Sequence, residues 1–323
     1  MRFTNMTDFW ATINEYACRE KRFKFIINYE CNEAFFCDCE NEKDAKDFFV
    51  EINSEHKHNA CLEKLEILSE DFEKYKKSFN LAQEKFLTKE VKVINLTMAT
   101  PIYSKYRLEE IFALTSARYK VYLPNRFVCF SPEPFIKIDK TGKIFCTPMK
   151  GTISASIPNA ANLILENKKE INEHNAVIEV TKQDLQTIAD EVNVTRYRYI
   201  DVLKTSNGDL LQVSSEVSAK LNTKTWKKNL GNLIQRILPA SSISGVPKKS
   251  AIDLIKVCET NSRGFYTGIC GVFDGSSLDT GVMIRFIAED KKGQKFFYSG
   301  GGITVESDCK KEYGEVLEKI YFP

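Results

Sequence analysis

Histidine is almost missing from this chain: His56, His58 and His174 are the only three. That argues against a histidine-rich metal centre and leaves carboxylates, lysines and backbone groups to do any chemistry. Also missing is an apolar run of the ~18 residues a membrane span needs. The opening MRFTNMTDFW has no apolar core of the signal-peptide kind, so a cytoplasmic protein is the expectation. Neither sign of charge prevails. The 46 Lys and Arg against 44 Asp and Glu give a net charge of +2, with no general pull toward nucleic acid or an anionic membrane. Neither is expected as a partner. No C-x-x-C pair occurs among the ten cysteines, which read as reduced, partly core-filling thiols rather than a zinc set or a disulfide framework. No proline-rich or serine-rich linker and no internal repeat divides the chain. With 43% hydrophobic residues over 323 positions, it has material for a sizeable core, and a single domain over 1–323 is expected.

What is present is a change of character near residue 94. Before it, Phe23 to Tyr29 alternates like a strand. The stretch from Glu40 to Lys89, dense in Glu and Lys with apolar residues at helical spacing, predicts amphipathic helices. After it come short β-type runs: VKVINLT from Val91, YKVYL from Tyr119, FVCF from Phe127, FIKI from Phe135 and KIFCT from Lys143, the last two joined by a Lys140-Thr141-Gly142 turn. A helix is predicted over roughly 168–192, then strands at 197–203 and 210–221. Another helix should start after Pro247. Strands at 266–273, 282–288 and 295–299 precede a last helix running to Ile320. Strands arriving in runs favour an α+β architecture with mainly antiparallel sheets over a doubly wound one.

Several short patterns could carry chemistry. Asp279-Thr280-Gly281 matches the aspartic-protease tripeptide, but a single copy is a common coincidence. Gly300-Gly301-Gly302 forms neither G-x-G-x-x-G nor a P-loop. It reads as a tight strand-to-helix turn or as an anion-holding backbone concavity at a helix N-terminus. Glu170 and Glu173 share one helix face, and Glu312 and Glu315 another. Two such faces opposed would suit a hard cation, although solvated Glu/Lys faces, with Glu315 pairing Lys319, explain the same spacing. Lys150, in CTPMKGT, is either solvent-exposed and idle or, if it points into a cavity, a candidate amine nucleophile.

In their order along the chain, the segments FSPEPF (from Phe130), TPMKGT (Thr147), KKEINEHNAVIE (Lys168), SSISGVPK (Ser241), RGFYTGICGVFD (Arg263), LDTGVMIRF (Leu278) and SGGGITVESDCKKEYGEVLEK (Ser299) resemble the chorismate-utilising enzymes. These include the synthase subunits of anthranilate and aminodeoxychorismate formation and their isochorismate and salicylate relatives. The resemblance spans residues 95–323, with 1–94 a looser, shortened N-terminal region. It implies two large antiparallel sheets packed as a sandwich, helices outside, and the site in the cleft between them.

The resemblance also implies roles. Glu173 and Glu315 would be Mg²⁺ ligands, with Glu170 and Glu312 in support, the metal holding the ring carboxylate of chorismate. Arg285, Ser244, Lys319 and the glycines Gly300, Gly301 and Gly302 would grip the substrate carboxylates. Lys150 marks the aminodeoxychorismate branch, where the amine adds to C2 as the C4 hydroxyl leaves, and ammonia then adds at C4 and expels the lysine from C2. Glu133 would be the acid that protonates the departing hydroxyl. The water-activating lysine of isochorismate enzymes falls on Val93 here, with Lys92 facing the other way. Implied partners are a glutamine amidotransferase subunit that supplies ammonia and, downstream, an aminodeoxychorismate lyase on the way to p-aminobenzoate and folate. Against the usual family pattern, Lys182-Gln183-Asp184 replaces R-N-D, Gln212 stands where a histidine is expected, and Ser244 replaces threonine. The rivals are an anthranilate- or salicylate-forming lyase and a non-catalytic chorismate-binding or interaction protein.

Overall fold

The computed structural model describes every residue except 42–46, 54–62, 70, 89, 204–208 and 323. His56, His58 and Cys61 lie outside the described residues. Two antiparallel sheets organise the rest. The larger runs, in spatial order, through Arg2–Phe3, Ala34–Asp38, Phe23–Ile27, Ile269–Phe273, Leu278–Val282, Pro134–Ile138, Lys143–Cys146, Leu210–Lys220 and Met149–Ser154, with Asp190–Leu203 also pairing Leu210–Lys220. The smaller runs through Gly245–Val246, Val93–Tyr103, Lys295–Thr304, Phe286–Glu289, Phe127–Ser131, Tyr119–Leu123 and Phe49–Ile52, with Glu66–Ile67 added on Val93–Tyr103.

Strand alternation sets which side chains go inside. In Val93–Tyr103 every second residue from Ile94 to Ile102 is buried. One apolar cluster joins side chains of both sheets, among them Ile26, Tyr119, Val121, Cys129, Cys270 and Phe286. Outside the larger sheet, Phe9, Trp10 and Ile13 of the helix Met6–Cys18 and Ile234 and Ile237 of Leu230–Ile237 pack on Phe25, Ile27 and Ile136. Outside the smaller sheet, the helices Phe72–Phe86, Lys248–Cys258 and Cys309–Glu318 cover Ile94, Leu96 and Ile303. Each large side chain so buried is worth roughly 1.5–3 kcal/mol. The expected sandwich with helices outside is the observed architecture.

The chain changes sheet twice at neighbouring places. Phe127–Ser131 of the smaller sheet leads through Pro132 and Glu133 into Pro134–Ile138 of the larger. Leu278–Val282 of the larger sheet leads through Met283–Arg285 into Phe286–Glu289 of the smaller. The two crossings are tied together: Val282 N–H donates to the Glu133 carbonyl at 3.0 Å, and Phe130 N–H to the Arg285 carbonyl at 3.0 Å. This corrects the sequence reading of 282–288 as one strand. The break falls where Arg285 adopts a φ of 52°, in the left-handed region.

Other boundaries also differ. The helix expected over 168–192 ends at Gln186, and Asp190 already begins a strand. Within 40–89 only Phe72–Phe86 is helical among the described residues, while Phe49–Ile52 and Glu66–Ile67 are strands. Gly300, Gly301 and Gly302 are not in a turn but inside the strand Lys295–Thr304, opposite Thr97, Leu96 and Asn95. The predicted hairpin turn is present, with Gly142 at φ 80° and the Asp139 carboxylate accepting from the N–H groups of Thr141 and Lys143.

Candidate active site

The two crossings deliver Glu133 and Arg285 to the seam between the sheets. A cavity of about 170 Å³ opens there, lined by both residues together with Lys150, Lys319, Glu315 and the three glycines. A smaller cavity of about 40 Å³ adjoins it, sharing Lys150 and Gly302 and adding Val93 and Ser244.

Glycine is needed in the strand floor for different reasons at each position. A Cβ at Gly300 would meet the Leu96 carbonyl oxygen at 2.6 Å. At Gly301 it would sit 3.5 Å from Glu315 Oε1 and 3.8 Å from both Glu312 Oε2 and Lys319 Nζ. At Gly302 it would sit 3.5 Å from Lys150 Nζ. The glycines thus clear a shelf over which charged side chains converge from the strand Met149–Ser154 and from the last helix and its C-cap. Lys319 Nζ donates to the Gly300 carbonyl at 2.7 Å and to Glu315 at 2.6 Å. Burial pushes the Lys319 ammonium below its ordinary range, and Glu315 opposes that shift.

Lys150 projects from Met149–Ser154, and among the described residues its Nζ has no recorded hydrogen bond or ion pair. The next residue, Gly151, has φ 88°, and a Cβ there would approach Glu170 Oε2 to 2.9 Å. Glu170 thus packs against Gly151, while the Lys150 ammonium reaches the glycine shelf. Burial raises the Glu133 carboxyl above the usual carboxylate range. The Ser242 hydroxyl, which donates to Glu133 Oε1 at 2.6 Å, and the charges of Lys150, Arg285 and Lys319 pull it back. The Arg285 guanidinium stands 4.9 Å from the Tyr321 ring centroid.

Of the two carboxylate pairs, the one on Cys309–Glu318 reaches the glycine shelf, whereas neither Glu170 nor Glu173 lines the cavity. Glu312 and Glu315 reach over Gly301, and Ser307 Oγ donates to Glu312 at 2.8 Å. Glu170 and the half-buried Glu173 lie on Lys168–Gln186. Among the described residues no three His, Cys, Asp or Glu side chains are drawn into a tight ligand set. Ser244 is fully buried, and its hydroxyl donates to the Ala240 carbonyl at 2.8 Å, so it faces the smaller cavity with its proton already committed. Val93 lines that smaller cavity, whereas Lys92 is exposed. His174 is fully buried against Ser215 Oγ at 2.7 Å, and burial together with Arg198 holds it down to about 4.

Other motifs are structural. Asp279 accepts from Tyr119 at 2.8 Å and Lys137 at 2.6 Å, and Thr280 is buried. None of the nine described cysteines forms a disulfide with another, and burial pushes the Cys270 thiol up to about 12. Sequence reasoning did not single out Ser242, Asn95, Tyr266 or Tyr298, which also line the larger cavity. Tyr266 lay inside the RGFYTG segment and Ser242 inside SSISG, so the signal was present without a role attached.

Cations, an acid and a glycine strand thus face one cavity at the seam of a two-sheet sandwich. Residues 2–323 match the family described as chorismate binding enzyme, and the chain belongs to that family. It is 39% identical over 330 residues to an uncharacterized PabA-like protein of Haemophilus influenzae, covering 100% of this chain and 98% of that protein. Aminodeoxychorismate synthase component 1 of Bacillus subtilis is 29% identical over 213 residues, covering 63% of this chain and 44% of that protein. Among solved structures, anthranilate synthase component I from Streptococcus pneumoniae superposes with a TM-score of 0.67 at 20% identity, over 83% of this chain and 62% of that one. The menaquinone-specific isochorismate synthase of Escherichia coli superposes with a TM-score of 0.72 at 17% identity, over 99% and 82%. These two likenesses concern the fold. Among the described residues no helix is long and apolar enough to cross a membrane.

Proposed function

We propose that this chain is the chorismate-binding component of an aminodeoxychorismate synthase, converting chorismate and ammonia to 4-amino-4-deoxychorismate and water. The observation that carries this reading is Lys150: an amine that reaches the glycine shelf and opens onto the same cavity as the acid Glu133. The Lys150 lone pair forms a bond to C2, the ring double bond shifts, and the C4–O bond breaks. Glu133 gives its proton to the departing hydroxyl, which leaves as water. Ammonia then bonds to C4, the double bond shifts back, and the C2–N bond breaks with its electrons returning to Lys150. The new ammonium group returns a proton to the Glu133 carboxylate. Burial supports this role by keeping Glu133 protonated to higher pH than a free carboxylic acid.

Arg285 and Lys319 would hold the substrate carboxylates by charge-assisted hydrogen bonds, with the backbone of Gly300–Gly302 allowing close approach and Ser244 closing the far end of the smaller cavity. Hard oxygen donors over a glycine-cleared space fit Mg²⁺, which takes few carboxylates and keeps several waters. Glu173 and Glu315 would hold it, with Glu170 and Glu312 beside them, and its charge would offset that of a substrate carboxylate. Val93, apolar and next to Lys150, offers no group to activate water at C2. A separate glutamine amidotransferase would supply ammonia, since the described thiols are not paired with histidines. An aminodeoxychorismate lyase would act on the product, in the cytoplasm, on the way to p-aminobenzoate and folate. Residues 1–323 would act as one chorismate-binding domain.

The test is mass spectrometry of products from chorismate, Mg²⁺ and ammonium salt. Aminodeoxychorismate is the expected product. Anthranilate, salicylate or isochorismate in its place would contradict the reading.

A further inference from the structure

The turn over residues 241–244 is tied down at every residue. Ser241 Oγ donates to Asp184 Oδ2 at 2.5 Å. Asp184 is paired in turn with Lys248 Nζ at 3.0 Å, and that ammonium also donates to the Ile237 carbonyl at 2.7 Å. The Ile243 carbonyl accepts from Arg263 Nη1 at 2.8 Å. The Arg263 guanidinium is buried and held by both oxygens of Glu259, at 2.8 Å from Nε and 2.7 Å from Nη2. The Ser244 hydroxyl donates to the Ala240 carbonyl, and the Ser244 carbonyl accepts from Asn95 N–H at 2.8 Å. Two buried or half-buried ion pairs thus clamp one short turn from opposite sides. The side chain this turn presents to the cavity is Ser242, 2.6 Å from Glu133 Oε1.

We propose that Ser242 is the positioning residue of the acid: its hydroxyl holds Glu133 Oε1 as an acceptor, which directs the carboxylic proton to Oε2, and the clamped turn keeps that donor in place. This deepens the function proposed above and rests on Glu133 being its acid. A neutral carboxyl has one proton for two oxygens. A donor fixed on Oε1 can be accepted in either protonation state only if the proton occupies Oε2. A fixed donor also favours the ionised form, so Ser242 works against burial and keeps the group able to release its proton. The other groups that act on Glu133 are the cations Lys150 on its strand, Arg285 at the second crossing and Lys319 at the end of the last helix, with Glu315 and the phenol of Tyr266 on the same cavity wall. None of these is a hydrogen-bond donor fixed on Oε1 in the structure, so the geometric role is particular to Ser242.

The experiment compares wild type, Ser242→Ala and Ser242→Thr by two readouts. One is the pH dependence of kcat with chorismate and ammonium salt. The other is direct titration of Glu133 in the free protein by NMR of ¹³C-carboxyl-labelled glutamate, assigned with Glu133→Gln. Removing the donor is expected to move the Glu133 titration, and the alkaline fall of kcat with it, upward by roughly half to one pH unit. Threonine, which keeps the hydroxyl, is expected to restore both. A Glu133 titration unmoved in Ser242→Ala would overturn the proposal, whatever happens to the rate. If the titration moves while the limb of kcat stays where it was, Ser242 controls Glu133 as proposed and the assignment of Glu133 as the acid fails instead.

Discussion

Lys120 and Lys150 both stand on antiparallel strands, and their surroundings are opposite. Lys120, in Tyr119–Leu123, is 1% exposed, with its Nζ 3.2 Å from Glu51 and 4.5 Å from the Phe112 ring centroid. A carboxylate and a π-face meet that ammonium, so its charge is engaged within the fold. Lys150 is half-buried and faces a cavity that two sheet crossings, a glycine strand and a clamped turn have been folded to create. Burial alone therefore says little about a lysine's purpose. What separates the two, among the described residues, is whether the amine is paired or opens onto a cavity.

Substitutions can break or sharpen that contrast. The largest effect is expected at Lys150 itself: Lys150→Ala should lose aminodeoxychorismate formation by about 10³-fold or more with little change in Tm. Lys120→Met should do the reverse, leaving turnover per folded molecule intact while lowering stability by about 1–3 kcal/mol in denaturant titration. Equal damage to activity from both would erase the distinction. Glu133→Gln, which keeps the shape and removes the acid, is expected to slow turnover by about 10²- to 10⁴-fold. An unimpaired variant would show that the hydroxyl leaves without help from this group.

Next in size come Glu315→Ala and Glu173→Ala. Each should weaken the apparent Mg²⁺ affinity in an activity titration by roughly 10- to 100-fold while the fold stays intact, because the ion takes few carboxylates and each variant removes one. An unchanged Mg²⁺ requirement in both would place the metal elsewhere. The smallest effects sharpen the picture of the shelf. Gly300→Ala puts a methyl against a backbone oxygen and should cost about 1–3 kcal/mol of stability. Gly302→Ala makes only ordinary contacts, with Lys150 Nζ at 3.5 Å and Val93 at 3.8 Å. It should keep the wild-type Tm and lose some rate by crowding the amine.

The sequence shows some of this plainly and some of it not at all. The short strands at 119–123, 127–131 and 134–138 were legible because alternation and turn chemistry are local. So was the helix starting after Pro247. The crossing at 283–285 was not, because an apolar run reads alike whether it stays in one sheet or passes between two. The same limit applied to Gly300–Gly302. Three glycines suit a turn as well as a shelf, and only the ladder with Val93–Tyr103 decides. Lys150, Glu133 and Glu315, which line the cavity, stood in ordered motifs. Ser242 was not legible, because its meaning lies in a contact 109 residues away along the chain. The helix Met6–Cys18 was passed over for a similar reason: its buried face, Phe9, Trp10, Ile13 and Ala17, is compact and its flanks are ordinary.

The most direct measurement of the central claim is the intact mass and peptide map of the protein after incubation with chorismate and Mg²⁺ without ammonia, followed by acid quench. The account predicts a covalent adduct of dehydrated chorismate on the peptide carrying Lys150. That adduct should be discharged to aminodeoxychorismate when ammonium salt is added and should be missing from Lys150→Ala. An unmodified Lys150 peptide, together with wild-type rates of aminodeoxychorismate formation by Lys150→Ala, would contradict it.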